Sequence, residues 1–151
     1  MTFVDTYPKA ARIAKANFIV AFAALGVGGL FGLIQALHRT NVFRGIIHSV
    51  QYYTTLTGHG VLLALVFTTF FLAGIYTWGV ARSLEREPEN IRFSWTWFWV
   101  MLVGTVMASI AILGGFVPGS SIRAAVLFTF YPPLQGHPLF YIGATLLVVG
   151  S

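Results

Sequence analysis

Apolar residues fill this chain in four long blocks, and charge is confined to the gaps between them. No Asp, Glu, Lys or Arg occurs within residues 16–38, 45–81, 93–122 or 124–151. Each block reaches or approaches the roughly 20 residues that a helix needs to cross about 30 Å of hydrocarbon. The pattern therefore predicts four helices. The first covers 16–38. The second covers 49–81, about 50 Å at a rise of 1.5 Å per residue, so it must tilt strongly or project beyond a bilayer. A third begins in the aromatic group Trp95, Trp97, Phe98 and Trp99 and ends near Phe116, ahead of Val117-Pro118-Gly119. The fourth starts at Pro138 and reaches only about 21 Å by Ser151, too short to cross, so a longer parent protein is expected.

Residues 1–15, with Lys9, Arg12 and Lys15, read as a basic leader, partly helical and interfacial. A cleaved signal peptide is a poor account of the first block, because no small-residue cleavage site follows it and further apolar blocks do.

Composition fixes the solvent. Hydrophobic residues make up 57% of the chain and charged residues 9%, far below the quarter or so that soluble domains carry. Mean hydropathy is +0.81. The expected fold class is all-α: a polytopic transmembrane helix bundle of three complete spans and the start of a fourth, in one membrane domain over 1–151. The net charge of +5 does not point to nucleic acid, because the basic residues flank apolar blocks. Six of the nine Lys and Arg lie in the leader and the second connector (Arg82, Arg86, Arg92), and three, Arg39, Arg44 and Arg123, lie on the other side. That excess predicts a cytoplasmic N-terminus. The chain has no cysteine, which removes disulfides, iron–sulfur clusters and thiolate copper sites.

Within the first helix Gly28 and Gly32 form a small-xxx-small pair suited to close helix packing, with no chemistry required of it. Gln35, near the far end, is expected to make an interfacial or interhelical hydrogen bond. Pro132 and Pro133 forbid a regular helix in the loop before His137.

One residue stands apart. His59 lies in the first third of the second block, inside an apolar span, between Gly58 and Gly60. A titratable imidazole at that depth costs several kcal/mol unless compensated. Two compensations fit: coordination of a metal, with haem iron the commonest large one in a helical bundle, or a hydrogen bond to a neighbouring helix. Gly58 and Gly60 clear side-chain bulk where a porphyrin face would meet the helix. His38, His48 and His137 sit at connector edges, where water or headgroups satisfy them. A six-coordinate haem needs a second axial ligand, and Met101 and Met107 are more readily core packing.

Four stretches together resemble one family. They are Gly29-Leu30-Phe31-Gly32 with Gln35-Ala36-Leu37, Tyr52-Tyr53 through His59-Gly60-Val61-Leu62 to Val66-Phe67-Thr68, the connector Ala81-Arg82-Ser83-Leu84, and Phe128-Thr129-Phe130-Tyr131-Pro132-Pro133-Leu134-Gln135-Gly136-His137. The chain resembles the N-terminal part of subunit I of haem–copper oxygen reductases, most closely the B-type prokaryotic cytochrome c oxidases. The resemblance implies that His59 is an axial ligand of a low-spin haem lying toward the outer face. It also implies a prokaryotic plasma membrane, a copper-bearing subunit II, and cytochrome c or a similar electron donor, with lipid around the bundle. The second haem ligand, the second haem and the copper would come from later helices, so residues 1–151 alone are expected to be inactive.

Three other readings share some of these features. A nitric oxide reductase has the same architecture and helix-two ligand, a non-enzymatic membrane cytochrome would relay electrons only, and a cofactor-free scaffold would use His59 for a hydrogen bond.

Overall fold

The computed structural model describes residues 2–40, 42–43, 45–122 and 136–151, and in them it is helical, with no strand. The Tyr131-Pro132-Pro133 loop lies outside the described residues, as do Arg44 and Arg123.

A single short turn, α1 (Phe3–Thr6), opens the chain, capped by a Thr2–Asp5 pair in which Thr2 donates to Asp5 Oδ2 from both its amide (3.0 Å) and its hydroxyl (2.7 Å). These bonds, the hydroxyl's first, hold the Asp5 carboxyl below the ordinary aspartate range. Helix α2 then runs over Pro8–Arg39.

The helix therefore starts eight residues before the expected boundary at 16, and most of the anticipated leader is its first two turns. Three things extend it. Pro8 is pre-set for the first helical position. Ala10, Ile13 and Ala14 are buried, so the apolar stripe continues through the basic residues, while Lys9, Arg12 and Lys15 stay at least partly exposed. Glu87, from the second connector, accepts hydrogen bonds from the otherwise orphaned amides of Lys9 (2.8 Å) and Ala10 (2.9 Å).

The second predicted helix is one rod of three pieces: α3 (Ser49–Val61), a π-helical stretch (Leu62–Phe67) and α4 (Thr68–Ser83). In the π stretch each amide reaches one residue further back than in an α-helix, which changes the angle at which later side chains leave the axis. Thr68 Oγ1 donates to Leu63 O at 3.0 Å and occupies one of its carbonyls. Past the stretch's start, Val66, Phe70 and Gly74 are buried, and a Cβ on Gly74 would meet the Phe18 ring of α2 at 2.8 Å. The rod ends in a left-handed residue, Glu85 (φ 49°), and the Arg86 amide bonds back to Ala81 O at 3.3 Å.

Helix α5 (Ile91–Leu113) is capped by Asn90, whose side chain accepts from the Phe93 amide at 3.1 Å, and it continues as a 3-10 turn over Gly114–Phe116. It therefore begins one turn before the tryptophan group. Helix α6 (Pro138–Val149) packs backbone to backbone against α5 through opposed glycines. A Cβ on Gly104 would stand 2.5 Å from Gly143 O, and one on Gly143 would stand 2.6 Å from the Ala108 amide. The main core joins Ile13, Ala21, Ala24, Val66, Phe70, Phe98, Met101 and Leu147 from α2, the rod, α5 and α6. Met101 is core packing, as its residue type suggested.

Three helical units, Pro8–Arg39, Ser49–Ser83 and Ile91–Phe116, are long and apolar enough to cross a bilayer. Most of the large residues on α2 that face away from the bundle, among them Ile19, Phe22, Leu30 and Leu33, are apolar, which only lipid or further protein can solvate.

Candidate functional site

His59 lies in the last turn of α3, and its ring sits against α2. The imidazole Nδ1 is 2.8 Å from Gly28 O. A carbonyl oxygen only accepts, so Nδ1 carries the hydrogen and donates it. The other nitrogen, Nε2, is left with its lone pair, and it makes no hydrogen bond among the described residues. The residue is half-buried, with its ring resting against α2.

The two glycines of α2 shape the seat. A Cβ on Gly32 would stand 2.8 Å from His59 Cε1 and 2.9 Å from Nδ1, far inside van der Waals contact. A Cβ on Gly28 would stand 3.0 Å from Leu63 Cδ2. The small-xxx-small pair thus does pack helix on helix, but it also cradles the imidazole and supplies its acceptor. Its role is wider than the close packing expected of it.

Of the two glycines beside His59, Gly60 leaves the open space expected of it and Gly58 does not. Gly58 is filled by the Phe31 ring of α2, which a Cβ would meet at 2.6 Å, and Gly60 has nothing within 4 Å. Gly58 therefore accommodates a neighbouring helix and leaves no free face. The notch that matters for His59 is across the interface, on the partner helix.

A ladder of polar contacts continues toward the α2–α3 connector. Gln35, 6% exposed, donates from Nε2 to Thr55 O (3.1 Å) and to Phe31 O (3.2 Å), so it is interhelical as anticipated. One turn further out, Arg39 Nε donates to the Tyr52 hydroxyl at 3.1 Å, and the His38 ring packs on Tyr52 with centroids 5.0 Å apart. His48 occupies the N-cap of α3, where its amide donates to Gln51 Oε1 at 3.0 Å. His137 caps α6, accepting from the Leu139 amide at 3.2 Å. Both serve helix ends. Among the described residues no three His, Cys, Asp or Glu side chains cluster as a metal site.

On the far side of Phe31 and Gly58 a cavity of about 250 Å³ opens between α2, the rod and α5, lined by Val27, Phe31, Gly58, Leu62, Thr105 and Ser109 among others. Its wall is almost wholly apolar.

The arrangement at His59 suits an iron ligand. Metal-bound histidines commonly donate their second ring N–H to a carbonyl or carboxylate, which fixes the tautomer and strengthens the free nitrogen as a donor to metal. The donor set here, a neutral imidazole with Nδ1 held and Nε2 open, fits haem.

The fold and site together define a multi-pass membrane helix bundle in which one intramembrane imidazole is oriented by the neighbouring helix. Comparison with known proteins narrows this. The family model described as cytochrome C and quinol oxidase polypeptide I matches residues 12–151. Cytochrome c oxidase subunit 1 of Thermus thermophilus is 40% identical over 154 residues, which take in 97% of this chain and 26% of that protein. A probable cytochrome c oxidase subunit 1-alpha of Streptomyces avermitilis is 23% identical over 139 residues, 91% of this chain and 23% of the relative. A cryo-EM structure of a heme-copper terminal oxidase dimer superposes with a TM-score of 0.82 at 36% identity, covering 93% of this chain and 23% of that one. The chain belongs to the cytochrome c and quinol oxidase polypeptide I family. It spans about a quarter of the length of the curated relatives it matches.

Proposed function

We propose that this chain is the N-terminal part of the core subunit of a proton-translocating respiratory oxidase, and that His59 is an axial ligand of its low-spin haem. The bond from His59 Nδ1 to Gly28 O, 2.8 Å long, carries the reading, because it presents Nε2 as an unprotonated donor. When bound, the haem supplies one-electron storage on the path to a haem–copper centre where oxygen is reduced to water.

What this chain contributes is orientation and environment. Gly28 fixes the imidazole tautomer, Gly32 admits the ring, and the surrounding apolar helices keep the local dielectric low, which tunes a haem potential. The second axial ligand, the second haem and the copper are assigned to parts of the protein outside these residues. A copper-bearing subunit II and a cytochrome c or similar donor are the proposed partners.

The prokaryotic plasma membrane is the proposed location, with the N-terminus cytoplasmic. The clustering of Lys9, Arg12, Lys15, Arg82, Arg86 and Arg92 at the end of the bundle where Glu87 meets α2 supports that orientation.

The test is His59→Ala in the full-length, haem-loaded protein. Loss of the low-spin haem absorption is the expected result, and an unchanged low-spin spectrum would sink the assignment.

A further inference from the structure

One flank of the bundle carries a groove that the site at His59 does not use. It lies where α1 and α2 meet α4, has a volume of about 520 Å³, and is walled by Phe3, Lys15, Phe18, Ile19, Phe22 and Trp78 among others. Phe18, Ile19 and Phe22 follow Lys15 by three, four and seven residues, so all four share one face of α2. Phe22 lies about 10.5 Å further along the axis than Lys15. On the facing side, Phe3 packs on Trp78 with centroids 6.0 Å apart. The groove is open outward, with Ile19 59% and Phe22 54% exposed.

The charges at the groove set its depth. Lys15 is the last charged residue before the apolar block 16–38, and Arg82 is the first after the block 45–81. They are therefore the cations of their helices nearest the hydrocarbon, at the level where headgroup phosphates lie. The Arg82 guanidinium carbon stands 5.7 Å over the Trp78 ring, which brings this second cation to the α4 wall of the groove.

Neither cation has a counter-charge among the described residues. Asp5 accepts from Thr2, Glu87 caps α2, and Glu89 pairs with Arg86. Glu85 alone is left over, against Lys9, Arg12, Lys15, Arg82 and Arg92 at the same end. Two unpaired cations beside an open aromatic groove match a ligand with an anionic head and a hydrocarbon tail.

We propose that this groove binds an anionic phospholipid, with its phosphate between Lys15 and Arg82 and one acyl chain along Phe18, Ile19 and Phe22. An apolar helix would cover the same wall, but it would leave both cations without a counter-charge. A zwitterionic headgroup carries its own cation, so a net negative one gains more from this pair.

The test is photo-crosslinking of the full-length protein in detergent with phosphatidylglycerol that carries a diazirine in one acyl chain. Cross-links are mapped by mass spectrometry and competed with unlabelled phosphatidylglycerol or phosphatidylcholine. They are expected within residues 18–22 and at Trp78, with phosphatidylglycerol the stronger competitor by several-fold or more. In the double variant Lys15→Gln, Arg82→Gln, competition by phosphatidylglycerol is expected to weaken roughly fivefold for each cation removed. Both side chains are exposed, so that variant should keep the parent's unfolding temperature. Arg92→Gln, which removes a cation of the same end outside the groove, should compete as the parent does.

Equal competition by the two lipids would make the occupant ordinary surrounding lipid and overturn the proposal. Absence of cross-links on these residues would also overturn it, since another segment of the longer protein would then cover the groove. A double variant that behaves as the parent does would overturn it as well.

Discussion

Glu87 holds the first turn of α2 from 78 residues away, its carboxylate oxygens accepting from the backbone amides of Lys9 and Ala10 at 2.8 and 2.9 Å. An anionic side chain at a helix N-terminus satisfies orphaned donors and complements the helix dipole together. It also ties the second connector to the start of the first long helix, so two segments distant in sequence share one boundary.

Removing that carboxylate should loosen the end of the bundle. Glu87→Ala is expected to cost about 0.5–2 kcal/mol, the range measured for lost N-caps. Thermal unfolding in detergent checks this, and hydrogen exchange should show the added opening confined to the first turns of α2. Exchange spread evenly over the bundle would argue against a local cap.

Gly32→Ala should damage the His59 site, whereas Gly29→Ala should not. The first places a methyl 2.8 Å from the imidazole Cε1, and the second has nothing within 4 Å. A displaced supporting contact of this kind typically lowers metal affinity by roughly 10- to 100-fold. The comparison is read from haem content and the low-spin bands of the two purified variants. Equal spectra would mean that the ring is free to move aside without consequence.

At the α5–α6 interface the obstruction is main chain, which cannot rotate away. Gly104→Ala would bring its methyl to 2.5 Å from Gly143 O, so the helices must separate, at a cost of about 1–3 kcal/mol. Gly79→Ala, with open space around it, serves as the control and should be neutral or slightly stabilising through helix propensity. Matching denaturation midpoints for the pair would refute the close packing.

Glu85 sits at φ 49°, a left-handed conformation that an L side chain adopts at some expense. Glu85→Gly should therefore stabilise the end of α4 by about 0.5–1 kcal/mol, less whatever the more flexible unfolded chain gains. A higher unfolding temperature with unchanged haem spectrum is the expected outcome.

The helices were legible because their cause is local. Uninterrupted apolar blocks forecast all three long spans and the short piece from Pro138, and His59 stands out as the one histidine within residues 49–81. Gln35 as an interhelical donor followed from the same logic. Features that depend on a neighbour were not legible. The start of α2 at Pro8 relies on Glu87, far away in sequence, so the basic residues there looked like a separate leader. Gly58 and Gly60 were natural choices for open space around His59, yet Phe31 fills one and the useful notch lies on α2. The π stretch at Leu62–Phe67 has no distinguishing residue type, since Leu, Ala, Val and Phe are equally ordinary in an α-helix.

The partner of His59 is a main-chain oxygen, and this shapes how the site can vary over generations. A codon change at position 28 can crowd the carbonyl or shift it, but it cannot delete the acceptor. Inheritance can therefore adjust the imidazole mainly by adding bulk at the two α2 glycines, in coarse steps, while the acceptor atom itself stays beyond the reach of point mutation.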